Sequence, residues 1–241
     1  MNVIDAPGTH EDAWQAWPGL AQLPPGRLGS PASVVVLAAH PDDEVLGAGG
    51  LLCLLASAGT RIRLVAVTDG EGSHGSRASP GELITRRCDE RAAALRELGA
   101  SAADVVRLSL PDSGLNCLEP ELTVLLSQLA AGFDACLAPW EKDVHADHEA
   151  VGRAARRACQ RLFFYPIWMW HWARPGDPRV PWPQAFRVPL PGAVAGRKRA
   201  AIGCFTSQLE NRAGELGPVL APDFVAHFTR DFELLFTTED R

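Results

Sequence analysis

Two clusters of imidazole and carboxylate side chains lie far apart in the chain. The first is the run Ala39-His40-Pro41-Asp42-Asp43-Glu44, and the second is His145-Ala146-Asp147-His148. Imidazole and carboxylate suit zinc or a similar divalent ion, and the two clusters hold more groups than one ion needs, which leaves some for proton transfer. His40 and Asp43, three residues apart in a turn, reach one ion together, and His148 at the start of a helix supplies a third ligand. Three protein ligands leave a coordination position open for water, the pattern of a catalytic rather than a structural site. Asp42 stands next to a ligand, where it takes the proton of that water. His145 stands across the site, where an imidazolium stabilises a developing oxyanion or protonates a leaving amine. The chemistry expected is metal-assisted hydrolysis.

The elements around these residues follow a regular alternation. Residues 33–39 (SVVVLAA) form a continuous apolar run, the pattern of a strand buried on both faces. Further strands are expected at 61–68, 104–110 and 134–138, with helices at 44–59, 81–98, 120–131 and 147–161. Strand–helix alternation over short loops implies parallel pairing with right-handed crossovers, hence an α/β, Rossmann-like three-layer α/β/α sandwich with a mostly parallel sheet. Ligands in such sheets lie outside the carboxyl ends of the strands, where both clusters fall. The Gly47-Ala48-Gly49-Gly50 run lies inside the first helix, so it reads as close helix packing rather than a phosphate cradle.

Residues 1–30 read as an irregular N-terminal segment and 31–241 as one domain, in which about 162–241 is an extension closing over the site. The aromatic stretch 162–172 (LFFYPIWMWHW) reads as a strand that sends Trp168, Trp170 and Trp172 to one face and His171 to the other; 184–190 and 224–236 read as further strand and 193–205 as helix. The tryptophans are either core packing or a wall that stacks on sugar or lipid. His74 and His171 are additional site candidates.

A net charge of −6 argues against general nucleic-acid binding, which needs a basic face. No apolar run is long enough to span a bilayer, and the N-terminus lacks the basic start and apolar core of a signal peptide. Six scattered cysteines without a Cys-x-x-Cys pair read as free thiols in a reducing, cytoplasmic setting. The oligomeric state is not legible.

At the two clusters the chain resembles the PIG-L/LmbE-like family of zinc-dependent N-acetylglucosaminyl deacetylases, which carry Ala-His-Pro-Asp-Asp-Glu and His-x-Asp-His in the same strand–loop–helix context. Weaker matches are Thr68-Asp69-Gly70-Glu71, the helix around Arg87, Leu110-Pro111-Asp112-Ser113-Gly114, and Lys198 with Ser207-Gln208, so the resemblance spans about 33–208. It implies His40, Asp43 and His148 as metal ligands, Asp42 as general base, and His145 as the residue that polarises the carbonyl or acts as acid. It also implies Arg87 and Asp112 as contacts to sugar hydroxyls and Asp147 as a carboxylate that orients a ligand imidazole. Zn2+ is the implied cofactor, although the ligand types admit Fe2+. The implied activity is removal of an acetyl group from an N-acetylated amino-sugar conjugate. A thiol-conjugate amidase on the same scaffold is the alternative, and a non-catalytic sugar- or nucleotide-binding module leaves Asp42 beside the metal unexplained. Two departures from the family pattern are Ala146, where proline is common, and Asp143-Val144, where glycine is common.

Overall fold

Val34 to Leu37 have no exposed surface, as their uninterrupted apolar character requires. In the computed structural model, which describes residues 4, 6–73, 79–211 and 217–238, they form the central strand β1 (Ser33–Ala38). It pairs in parallel with β2 (Arg61–Thr68) on one side and β4 (Ala135–Pro139) on the other. β3 (Asp104–Leu110) extends the sheet beyond β2, and β5 (Leu162–Tyr165) beyond β4, both in parallel. β6 (Ala185–Pro189) and β7 (Phe232–Thr237) complete it in antiparallel fashion, giving the order β3-β2-β1-β4-β5-β7-β6. The chain runs outward from β1 to β3 and then returns to β4, so the direction of winding reverses between β1 and β4. Right-handed crossovers therefore put α3 (Asp43–Ser57) and α4 (Pro80–Glu97) on one face, and α5 (Glu119–Ala130) and α6 (Ala146–Ala158) on the other. α8 (Gly192–Ile202) packs against α3 and α4. The crevice at the reversal, outside the carboxyl ends of β1 and β4, is where such sheets hold ligands.

α3 is not one continuous helix. Ala48 is non-helical (φ −142°), which frees amide groups in the following turn. The Glu233 carboxylate on β7 accepts the N–H groups of Gly50 and Leu51 at 2.7 and 2.8 Å, and Lys198 of α8 meets the same carboxylate at 2.6 Å. All of this is buried. The glycines of the run serve packing: a Cβ on Gly47 would overlap the Tyr165 ring, and one on Gly50 would overlap Leu190.

Three expectations for the flanking segments change. Residues 1–30 hold two short helices, α1 (Glu11–Gln15) and α2 (Pro18–Gln22), rather than irregular chain throughout. Trp14 of α1 is fully buried, its indole N–H donates to the Trp170 carbonyl at 2.9 Å, and the two rings meet edge to face at 5.1 Å. The Arg187 N–H donates to the Pro24 carbonyl and the Gly26 N–H to the Arg187 carbonyl, which covers the outer edge of β6. The aromatic stretch leaves the sheet after Tyr165 and turns into the short helix α7 (Met169–Trp172), so the tryptophans do not alternate across a strand. Phe224 sits on α10 (Pro222–Ala226) instead of a strand; α9 (Thr206–Leu209) precedes it.

Candidate metal centre and active site

The loop after β1 and the start of α6 bring His40, Asp43 and His148 together. His40 Nδ1 lies 3.3 Å from His148 Nε2 and 3.5 Å from Asp43 Oδ2, and His148 Nε2 lies 3.3 Å from Asp43 Oδ1. Ligands about 2.0–2.1 Å from a tetrahedral ion are separated by roughly 3.3 Å, so this triangle has the dimensions of one ion's coordination sphere. His145 joins a wider trio with the two histidines, in which ligand atoms lie within 4.8 Å. A second trio of the same span joins His40 to Asp112 and Asp147. His40 Nε2 faces those two carboxylates, at 3.3 Å from Asp112 and 3.1 Å from Asp147. An imidazole that ligates through one nitrogen and donates the other N–H to a carboxylate has this environment, which favours the tighter triangle as the cation position.

The electrostatics agree with that reading. Burial lowers the His40 imidazole's pKa, but hydrogen bonds with Asp112, Asp147 and Asp43 carry it well above its ordinary range. His148 is likewise opposed by burial, yet the Asp43 charge and its bonds to Asp143 and Asp43 bring it up to about 9. Asp43 is held well below the carboxylate range, because the histidine charges and hydrogen bonds outweigh the effect of burial. Positive charge is therefore stabilised at this point.

Asp42 occupies the turn between β1 and α3 with φ 130°, a left-handed conformation costly for a side chain with a Cβ. Arg87, 2% exposed on α4, holds the turn: its guanidinium donates to Asp42 Oδ2 at 3.0 Å, to the Gly70 carbonyl at 2.9 Å and to the Pro41 carbonyl. The guanidinium expected to meet sugar hydroxyls is thus engaged with Asp42 and two loop carbonyls, although Arg87 still borders the cavity. Burial, with the Asp43 and Glu44 charges adding to it against Arg87, raises the Asp42 carboxyl to about 7. Glu44 is fully buried, accepts the Asp42 N–H, and has its pKa raised by the same burial.

His145 caps α6, its Nδ1 accepting the Asp147 N–H at 3.3 Å. The ring proton therefore sits on Nε2. Burial and the His148 and His40 charges depress its pKa to about 3. This environment favours the neutral imidazole over the imidazolium expected from the sequence. Asp147, with no exposed surface, lies behind His40 and also accepts the Ser113 and Leu115 N–H groups, which fixes the loop after β3. Asp112 on that loop accepts the Gly72 N–H at 2.9 Å and borders the cavity.

Asp143 is the residue that sequence reasoning missed. Fully buried, it accepts from His148 Nδ1 at 2.7 Å and from the N–H groups of Ile167, Trp168 and Met169 at 2.8–3.1 Å. It fixes the His148 ring and caps α7 at once. His171 is not part of the centre: its Nε2 lies 2.8 Å from the Ala6 carbonyl. His74 lies outside the described residues.

A family model described as GlcNAc-PI de-N-acetylase matches residues 35–159. A curated relative, the 1D-myo-inositol 2-acetamido-2-deoxy-alpha-D-glucopyranoside deacetylase of Kineococcus radiotolerans, is 34% identical over 119 residues, 45% of this chain and 31% of that protein. The match thus spans less than a third of the relative's length. A conserved protein of Thermus thermophilus has a solved structure that is 31% identical, with TM-score 0.58 over 73% of this chain and 80% of its own. The 4-carboxy-2-hydroxymuconate hydratase of Pseudomonas putida KT2440, 17% identical with TM-score 0.62 over 87% of this chain and 97% of its own, shares the fold alone. The fold therefore does not choose the reaction; the site must.

Proposed function

Because this chain belongs to the GlcNAc-PI de-N-acetylase family, we propose that it hydrolyses the acetamide of an N-acetylated amino-sugar conjugate with the help of a divalent ion, zinc foremost. The observation that carries the proposal is a buried carboxylate, Asp42, next to a His40–Asp43–His148 triangle of coordination dimensions. These three residues would hold the ion, which supplies Lewis acidity toward the amide carbonyl and acidifies water.

The chain's own residues supply the remaining steps. Asp42 takes the proton of the attacking water, a role served by a carboxyl whose pKa is raised to about 7. His145 donates its Nε2–H to the carbonyl oxygen as negative charge develops there, without itself having to be charged. Asp42 then passes its proton to the nitrogen as the C–N bond breaks, releasing acetate and a free amine. Arg87 holds Asp42 in its strained turn, and Asp147 and Asp143 orient His40 and His148. Asp112 offers an acceptor to sugar hydroxyls at the cavity rim. Six free thiols support a reducing, cytoplasmic setting; among the described residues no helix is long and apolar enough to cross a membrane.

Acetate release by zinc-loaded protein from N-acetylglucosamine and its glycosides tests the proposal, with Asp42→Asn as control. Loss of turnover in that variant with metal still bound supports the mechanism. Full activity in the variant refutes it.

A further inference from the structure

The cavity at the centre, about 240 Å3, has two unlike sides. One is polar, built from the residues described above together with Ser73 and Gln208. The other is apolar: Ile167, Trp168, Val219, Leu220 and Phe224. Ile167, Leu220 and Phe224 are almost fully buried, and Trp168 is only partly covered. The Trp168 indole stacks on Phe224, with ring centres 4.5 Å apart and planes at 30°, and meets the His171 ring edge-on at 5.6 Å. Its backbone N–H is held by Asp143, the carboxylate that also holds His148. Through Asp143, Trp168 is therefore registered to the ligand triangle.

A pyranose can lay its C–H face on one aromatic ring, its hydroxyls pair with the polar side, and an acetyl group offers a single methyl. Together they leave much of such a wall uncovered. Leu46 apart, the apolar lining lies in residues 167–224, beyond the stretch 35–159 that matches the family. It thus lies outside the stretch that carries the two metal-ligand motifs.

We infer that the natural substrate carries an alkyl or aryl group that packs against Trp168 and Phe224 while its amide faces His40, Asp43 and His148. This rests on the deacetylase reading above. Such a group has two sources, the aglycone of the sugar or a longer N-acyl chain, and the chemistry that recognises it is the same. Each methylene it buries raises kcat/KM by about fourfold.

The test is amine release by the zinc-loaded full chain from four compounds: N-acetylglucosamine, its inositol glycoside, its octyl glycoside, and N-octanoylglucosamine. One of the two octyl compounds should exceed both N-acetylglucosamine and the inositol glycoside in kcat/KM by about tenfold or more, the gain from two buried methylenes. Preference for the octyl glycoside assigns the wall to the aglycone; preference for the N-octanoyl compound assigns it to the acyl chain. In Trp168→Ala and Phe224→Ala the octyl advantage should shrink toward one. Equal kcat/KM for octyl and inositol or unsubstituted compounds overturns the inference and leaves the deacetylase reading intact. Amine release from none of the four, with metal bound, overturns both.

Discussion

Replacing Asp143 by asparagine preserves shape and removes one charge at the point where the centre and its outer wall meet. The amide oxygen can keep the Ile167 and Met169 N–H groups, which leaves the NH2 facing the Trp168 N–H and His148 Nδ1. Two donors then oppose each other at Trp168, a buried unmet N–H that costs about 1–3 kcal/mol of stability. At His148 the sense of the hydrogen bond reverses. The NH2 donates to Nδ1, so the ring proton is driven onto Nε2, the nitrogen that faces Asp43 and His40. Metal then has to displace a proton from its own ligand atom. Loss of such an orienting carboxylate lowers metal affinity about 10- to 100-fold, or roughly 1.4–2.7 kcal/mol. Thermal unfolding without added metal measures the loss of stability, and competition for zinc against a chromophoric chelator measures the loss of metal affinity. Zinc affinity within about twofold of the parent, with His148 still protonated on Nδ1 by nitrogen-detected NMR, would refute the reasoning.

Other expectations concern single groups. Asp42→Asn should lower kcat by about 10²- to 10⁴-fold while metal content, measured by atomic absorption, is retained. Asp42 must be ionised to accept a proton, so kcat/KM should fall as pH drops through about 7 or the lower value that a bound cation imposes, and plateau above it; a profile flat down to pH 4 argues against Asp42 as base. Burial opposes ionisation of Glu11, but hydrogen bonds from His227 and Arg230 bring its pKa from 4.5 to about 2. A depressed carboxylate stabilises the fold above pH 4.5 and loses that contribution as pH falls toward 2, by up to about 3 kcal/mol; urea unfolding of Glu11→Gln should lack this loss in the same window. Lys198→Met strands the buried Glu233 charge and should cost about 3–5 kcal/mol in chemical denaturation.

Much of the molecule is legible in the sequence because its strongest signals are local. Strands 61–68 and 104–110 fall where their apolar β-branched runs place them, and the motif residues His40, Asp43 and His148 converge because both motifs follow adjacent central strands. What escapes is set by distant partners. Asp143 reads as a loop residue, since the three amides it accepts lie 24–26 positions downstream. Its one local signal is a carboxylate five residues before a ligand histidine. The same carboxylate helps turn the Trp168–Trp172 stretch into helix, overriding an alternation that suits a strand. Arg87 reads as a surface helix residue or a sugar contact because nothing near it announces the strained Asp42 turn it braces. Trp14 reads as part of an irregular lead because its partner, Trp170, is 156 residues away.

The break in α3 has a consequence for how the chain reaches its native state. The helix that begins with Asp43 regains its hydrogen bonds only when Glu233 arrives, 183 residues from Gly50. Contacts of such long sequence separation form late, because the entropy of closing the loop is spent before the contact rewards it. During synthesis the ligand loop and its helix emerge long before the carboxylate that completes the helix. The centre therefore matures at the end of folding, with β7 acting as the final clasp. A chain interrupted before residue 233 would carry every ligand and both motifs and still lack a finished site.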